Sequence, residues 1–213
     1  MAKIDKEIGT VQVTMPEGRL LFGHLITRDA FKEGDQEQYK VTMAYEPDDL
    51  DDLQDAMIDL AIQTWGLGAD DNLLMPIKDG DKVAAGKVKE GKKGDIYEGK
   101  LILNASTKFN RDGDDDEGGA MVYDEVVEVM SNMDIKKKVF NGSHGVLAVT
   151  LDTWMKTLDD GDKRYAIKAY FTAFQHTRGD AEDRIAQQSD HSSLFKPRVI
   201  EGGKAKKRAK RAG

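Results

Sequence analysis

The chain has 213 residues, of which 39% are hydrophobic and 33% charged, with no Cys and a formal net charge of -7. That length suffices for one domain with a sizeable core, and the missing Cys excludes disulfides, thiolate zinc sites and a cysteine nucleophile. No apolar run approaches the roughly 18 to 20 residues of a spanning helix, and the segment Met1 to Glu7 lacks the apolar stretch of a secretory signal, so the expectation is a soluble protein of the cytoplasm.

The charge is unevenly divided. Residues 196–213 hold eight basic residues and one acid, a balance of +7, which leaves residues 1–195 at -14. An acidic body repels polyanions on average, so any nucleic-acid surface on it has to be local.

In chain order, Thr10 to Met15 and Arg19 to Ile26 read as strands separated by the turn Pro16-Glu17-Gly18. Gln38 to Tyr45 alternates, placing Tyr39, Val41, Met43 and Tyr45 on one face and Lys40 and Thr42 on the other. From Pro47 to Trp65 the pattern predicts an amphipathic helix. Pro stands at its start, Asp48, Asp49, Asp51 and Asp52 lie where the helix dipole favours negative charge, and Leu50, Leu53, Met57, Leu60 and Ala61 form its apolar stripe. Trp65 reads as the anchor of this helix and Gly66 and Gly68 as its end.

Met75 to Gly99 contains five glycines and six lysines and reads as a basic loop or loose hairpin able to close over a phosphate backbone. Lys100 to Phe109 predicts a strand with Leu101, Leu103, Ala105, Thr107 and Phe109 inward and Lys100, Ile102, Asn104, Ser106 and Lys108 outward. Asn110 to Gly119 is an acidic, glycine-rich loop whose order fails the calcium-loop pattern. Met121 to Met130 reads as a strand, joined by Met133 to Phe140. Val146 to Leu158 predicts a long strand with Leu147, Val149, Leu151 and Met155 on one face and Trp154 and Lys156 on the other. Asp159 to Asp162 makes a hairpin turn, Asp180 to Gln188 a short helix, and Gly202 onward a disordered basic arm.

The most informative stretch is Arg164 to Arg178. As a strand it places Tyr165, Ile167, Ala169, Phe171 and Ala173 on a core face, and Lys168, Tyr170, Thr172, Phe174, His176 and Arg178 on the other. Cations interleaved with aromatic rings are what stacking bases and neutralising phosphates along a single strand requires. A strand buried on both faces would instead take Tyr170 and Phe174 into the core.

Against an enzyme, the four His residues are far apart in sequence, no His-x-x-x-His pair occurs, and no nucleophile elbow, nucleotide fingerprint or kinase signature is present. The fold class expected is mainly β with one or two helices: an elaborated five-stranded oligonucleotide-binding (OB) barrel with an inserted amphipathic helix and long loops. Residues 1–195 would form the domain and 196–213 its basic tail.

The sequence resembles the bacteriophage single-stranded DNA-binding proteins of the OB-fold type. The resemblance is carried by Gly18-Arg19-Leu20-Leu21-Phe22-Gly23-His24-Leu25, Gln38-Tyr39-Lys40-Val41, Thr64-Trp65-Gly66, Pro76-Ile77-Lys78-Asp79-Gly80-Asp81, Gly99 to Lys108, Phe174-Gln175-His176 and Asp180-Ala181-Glu182. It implies sequence-independent binding of single-stranded DNA in phage replication, recombination or repair, in the host cytoplasm and without a cofactor. Implied partners are single-stranded DNA and phage replication proteins such as a polymerase, helicase or nuclease, with no membrane partner and a homo-oligomer as an allowed state. Several relatives carry an acidic C-terminal tail, whereas this chain ends in a basic one.

On this reading Trp154, Tyr170 and Phe174 stack bases, Lys40, Lys100, Lys108, Lys168 and Arg178 meet phosphates, and Lys92 and Lys93 close from the loop. The reading from a different class is a phage structural or assembly protein with no nucleic-acid chemistry.

Overall fold

A computed structural model describes residues 3–5, 10–29, 36–69, 73–108, 119–157, 161 and 163–185. The elements in chain order are strands β1 (Lys3–Asp5), β2 (Thr10–Asp29) and β3 (Gln38–Tyr45), a 3-10 turn (Pro47–Leu50), helix α1 (Asp51–Trp65), β4 (Ile77–Asp79) and α2 (Gly80–Lys89). There follow β5 (Leu101–Thr107), β6 (Val122–Tyr123), α3 (Asn132–Lys138), β7 (His144–Thr157), β8 (Lys163–Arg178) and a 3-10 turn at Ala181–Asp183.

The protein is mainly β and OB-like. Its sheet runs β4-β5-β3-β2-β7-β8-β6, with β1 paired to β2. Strands β5, β3, β2, β7 and β8 are the five expected for the barrel, every ladder between them antiparallel. Closure comes from the chain before β4: Leu74 bridges to Ala166 of β8, and three residues later Ile77 pairs with Leu103 of β5. Strands β5 and β8 thereby lie against each other across the seam.

The barrel interior holds the core, including Leu20, Met43, Leu103, Leu147, Val149, Leu151 and Phe171. Helix α1 adds Leu53, Met57 and Leu60 to it, as its stripe predicts. Trp65 stacks on Tyr165 of β8 at 4.5 Å between ring centroids, so it does anchor the helix end. The helix stops where Gly66, at φ 94°, returns its N–H to the Ile62 carbonyl, a backbone region that only glycine enters without strain.

Several expectations are corrected. The two N-terminal strands are one strand of 20 residues, because Met15 and Pro16 form a bulge between the Thr14–Ala148 and Glu17–Val146 pairs instead of a turn. A bulge tolerates proline within a sheet. The first part of β2 pairs with β7 and its second part with β3.

The basic segment after Met75 is no loose loop. Asp79 caps α2 by accepting from the N–H groups of Asp81 and Lys82, and this cap offsets the low helix propensity of the glycines that follow. Met133 to Phe140 is mostly helix α3 rather than strand: Ser131 Oγ accepts the Asp134 N–H and donates to its carboxylate, nucleating a turn where the apolar pattern alone read as extended. Of Met121–Met130, only Val122 and Tyr123 form a named strand. The acidic stretch 110–118, most of the β7–β8 turn, and residues 186–213 lie outside the described residues.

Candidate nucleic-acid interface

The outward face of β8 begins as expected. Lys168 and Tyr170 share it, the Lys168 ammonium lying 4.5 Å from the Tyr170 ring centroid. Opposite them on β7 stand Asp152 and Thr150, and Trp154 opposes Ala166 on the same face, 46% exposed.

Phe174 does not belong to this face. It is fully buried in the core, which corrects its assignment as a stacking residue. The cause is a register shift: Val149 pairs with Phe171 but Ala148 with Ala173, so Thr172 is the extra residue of a bulge. The alternation inverts beyond it, bringing Phe174 inward in place of Ala173. Gly145 provides the space, since a Cβ there would approach the Phe174 ring to 2.4 Å.

The basic candidates are dispersed. Lys40 is on the outward face of β3 but only 7% exposed, with its Nζ 2.9 Å from Asp29 Oδ2. That carboxylate is also 3.6 Å from His24 Nε2. Lys40 is therefore a buried ion-pair member rather than a free phosphate contact, another correction. Lys100 pairs with Glu46, and Arg178 with Glu17 at 3.4 Å. Lys108 is exposed just past the end of β5, where its carbonyl accepts from Arg28.

Lys92 and Lys93 lead to a different surface. Both line a groove of about 890 Å³ across the outward faces of β2, β3 and β5. Its floor includes Phe22, Thr42, Ile102 and Asn104, with the Thr42 hydroxyl donating to Asn104 Oδ1 at 2.8 Å between neighbouring strands. One wall is α2 with the segment after it, contributing Lys87, Lys92, Lys93 and Tyr97; the other is the chain after β8, contributing Arg184 and Ile185.

A small apolar cluster holds both walls to the sheet: Leu21, Ala44 and Ile102 pack against Val83, Ile96, Tyr97 and Ile185. Gly80 permits the close approach of the first wall, since a Cβ there would meet the Tyr97 carbonyl at 2.0 Å. On the second wall the Arg184 guanidinium sits 4.3 Å from the Phe140 ring centroid, and Arg19 donates to the Asp183 carbonyl at 3.0 Å.

The groove is locally basic within an acidic body. Arg19, Lys78, Lys87, Lys92, Lys93 and Arg184 line it, against the single carboxylate of Asp95. Glu90 lies just behind, accepting from Lys92 at 2.9 Å and Lys87 at 3.4 Å. These two lysines hold its carboxyl below the usual range, the Lys92 hydrogen bond foremost. Among the described residues no carboxylate pairs with Lys93, and none pairs with Lys78. On the floor, Phe22 is 37% exposed and meets His24 edge-on, with ring centroids 4.7 Å apart. Outside the groove, on β7, burial and then the neighbouring Arg178 depress the pKa of His144, which leaves it uncharged at neutral pH.

Sequence reasoning missed Arg19, Phe22, Tyr97 and Arg184, and had Lys78 and Lys87 only as members of the basic stretch after Met75. A signal was present, since the stretches Gly18–Leu25 and Pro76–Asp81 that carry the resemblance are two of those that build the groove. Reading each strand's own alternation could not show that a helix and a returning chain would wall in the opposite side of the barrel.

No family model matches this chain, and no curated protein matches it in sequence. Solved structures do match. The single-stranded DNA-binding protein from bacteriophage Enc34 in complex with ssDNA aligns at 19% identity and TM-score 0.54, covering 81% of this chain and 88% of that one. Its C-terminal truncation gives 20% identity and TM-score 0.55 over 81% and 87%, and a further structure of the same phage protein 15% and 0.55 over 88% and 90%. The chain therefore has the fold of a bacteriophage single-stranded DNA-binding protein, the OB-type resemblance expected from its sequence.

Proposed function

We propose that the protein binds single-stranded DNA without sequence preference, in the groove across β2, β3 and β5. The observation that carries this is the convergence of six cations with Phe22 and Tyr97 on one outward face of an otherwise acidic barrel. It is the face on which OB folds bind oligonucleotides, and the fold is shared with a phage protein solved with ssDNA.

The lysines of the α2 wall and Arg184 opposite neutralise phosphates, while Phe22 offers a ring to the bases. Thr42 and Asn104, bonded to each other on the floor, give little basis for reading sequence. Trp154, Lys168 and Tyr170 extend the track onto the β7–β8 face, with Lys108 and Arg178 as more distant charges. The basic residues 196–213 add affinity or bridge strands, favouring annealing. The biological setting is phage DNA replication, recombination or repair alongside replication proteins, and the mode of action is binding without chemistry.

Fluorescence anisotropy of labelled oligo-dT and of a duplex of equal length, at two salt concentrations, tests this with the full chain and a variant ending at Lys196. Preference for the single strand in both constructs, lost on Phe22→Ala with Lys93→Gln, is the expected result. Binding that vanishes with the tail, or ignores strandedness, would overturn it in favour of a structural or assembly role.

A further inference from the structure

The floor of the groove points beyond its own edge. Asn104, Thr42 and Phe22 are register partners, so they stand in one row across β5, β3 and β2. Strand β7 pairs with β2 only as far as Arg19. From Leu20 onward that flank of β2 is taken by α3 and the residues after it. The Leu20 N–H donates to the Ser143 carbonyl and the Leu20 carbonyl accepts from the Gly142 N–H, both at 2.7 Å, which pins the segment in place.

Between β2 and α3 lies a second cavity, of about 280 Å³. It is at the small end of ligand sites, the room of one base rather than of a stretch of strand. Gly23, His24 and Thr27 line it from β2, and Lys136, Phe140 and Asn141 from the other side. It adjoins the groove at three points. Asn141 lines both, His24 meets the Phe22 ring, and Phe140 carries the Arg184 guanidinium of the groove wall.

The chemistry of this cavity suits a base. His24 and Phe140 supply rings. The Asn141 carboxamide has no hydrogen-bond partner among the described residues, and it can both donate to and accept from a base edge. Gly23 leaves the backbone bare in mid-strand, as happens where a ligand approaches closely. Among the described residues no carboxylate lines the cavity, and the Asp29 carboxylate near His24 is already paired with Lys40. At the end of α3 Lys136, Lys137 and Lys138 are all exposed, and among the described residues no carboxylate pairs with them.

We infer that this cavity seats one base of a single strand leaving the groove over Phe22, and that the lysines of α3 meet the phosphates that follow. The inference rests on the groove being the DNA site, as proposed above. It gives the strand a defined exit along the flank of β2, where the groove by itself leaves the path open.

The chain has no Cys, so one introduced thiol reports proximity in the full-length protein. Thr27→Cys places it on the cavity and Asp95→Cys on the groove, both at exposed positions. Each variant is mixed with oligo-dT carrying a disulfide-activated tether on one base, and the tethered position is moved along the strand. Asp95→Cys should trap interior positions and Thr27→Cys a position nearer one end. Trapping by Asp95→Cys with none by Thr27→Cys would overturn the inference and leave the groove standing. No trapping by either would remove the groove reading and the inference with it. In the second measurement, Lys136→Gln with Lys137→Gln is titrated against dT oligomers of about 4 to 16 nucleotides, the span of one OB fold. The shortest should bind as they do to the wild type, and the longer ones more weakly, with a salt slope shallower by about 1.4, two cations at about 0.7 each. Unchanged affinity and slope at every length would also overturn the inference.

Discussion

Lys78 and Lys93 face the groove with no carboxylate partner among the described residues, so replacing both with Gln removes two positive charges from it without orphaning an acid. Single-stranded nucleic acid releases about 0.7 counterions per phosphate neutralised. If all six cations lining the groove meet phosphates, log K falls with log salt at a slope of about -4.2, and the double variant at about -2.8. Between about 50 and 200 mM salt this is a loss of roughly 300-fold for the wild type against roughly 50-fold for the variant. The assay is oligo-dT anisotropy over a salt series, run with and without residues 197–213 so that the tail's own contribution is subtracted. Both lysines are solvent-facing, and thermal melts should superimpose. An unchanged slope would refute the reasoning, because it would place the phosphates somewhere other than this groove.

Three further outcomes follow from the packing. Phe174→Ala should cost about 3–5 kcal/mol as a core cavity, whereas Tyr170→Ala should cost no more than about 1.5 kcal/mol, the scale of an exposed cation–π contact and some packing; urea denaturation distinguishes them, and equal costs would contradict the bulge at Thr172. Tyr45 is buried with its hydroxyl among the unpaired polar atoms and its pKa pushed up by desolvation, so Tyr45→Phe should raise the melting temperature, by about 1–2 kcal/mol in stability. Glu17 has its pKa lowered by the Thr177 hydroxyl and then, against some desolvation, by Arg178; a depressed carboxyl stabilises above its unfolded value and loses that as pH falls through the folded one. Being partly exposed, it contributes no more than about 0.5 kcal/mol, so Glu17→Gln should cost that much at pH 7, and the cost should shrink as pH falls below the ordinary carboxylate range in paired denaturation curves.

Local alternation carried much of the fold into view. Tyr39, Val41, Met43 and Tyr45 are all buried as their spacing predicts, and so are Leu50, Leu53, Met57, Leu60 and Ala61. Where alternation misled, a single residue out of phase was the cause. Nothing in the run from Tyr170 to Phe174 announces that Thr172 will be the extra residue, since it takes the Gly145 gap on the neighbouring strand to accept the Phe174 ring. For α2, the decisive signal was one aspartate cap, which a count of glycines and lysines overrides. The candidate site was the least legible part. Its charges come from β2, β4, α2 and the chain after β8, segments brought together by Leu21, Ile102 and Ile185 meeting on the outside of a barrel whose inside was the more obvious apolar face.

The length of β2 bears on how the molecule comes apart. Twenty residues at about 3.3 Å each would reach roughly 66 Å if straight, several times the radius of gyration of about 17 Å for a domain this size. The strand must therefore bend at Met15 and Pro16 and serve as a common spine, giving one partner β7 and the other β3. No line of cleavage separates the groove-bearing half from the β7–β8 half without tearing the same strand. Amide hydrogens of β3, β5 and β7 should then exchange at a single shared opening free energy, and loss of the groove should coincide with loss of the whole barrel.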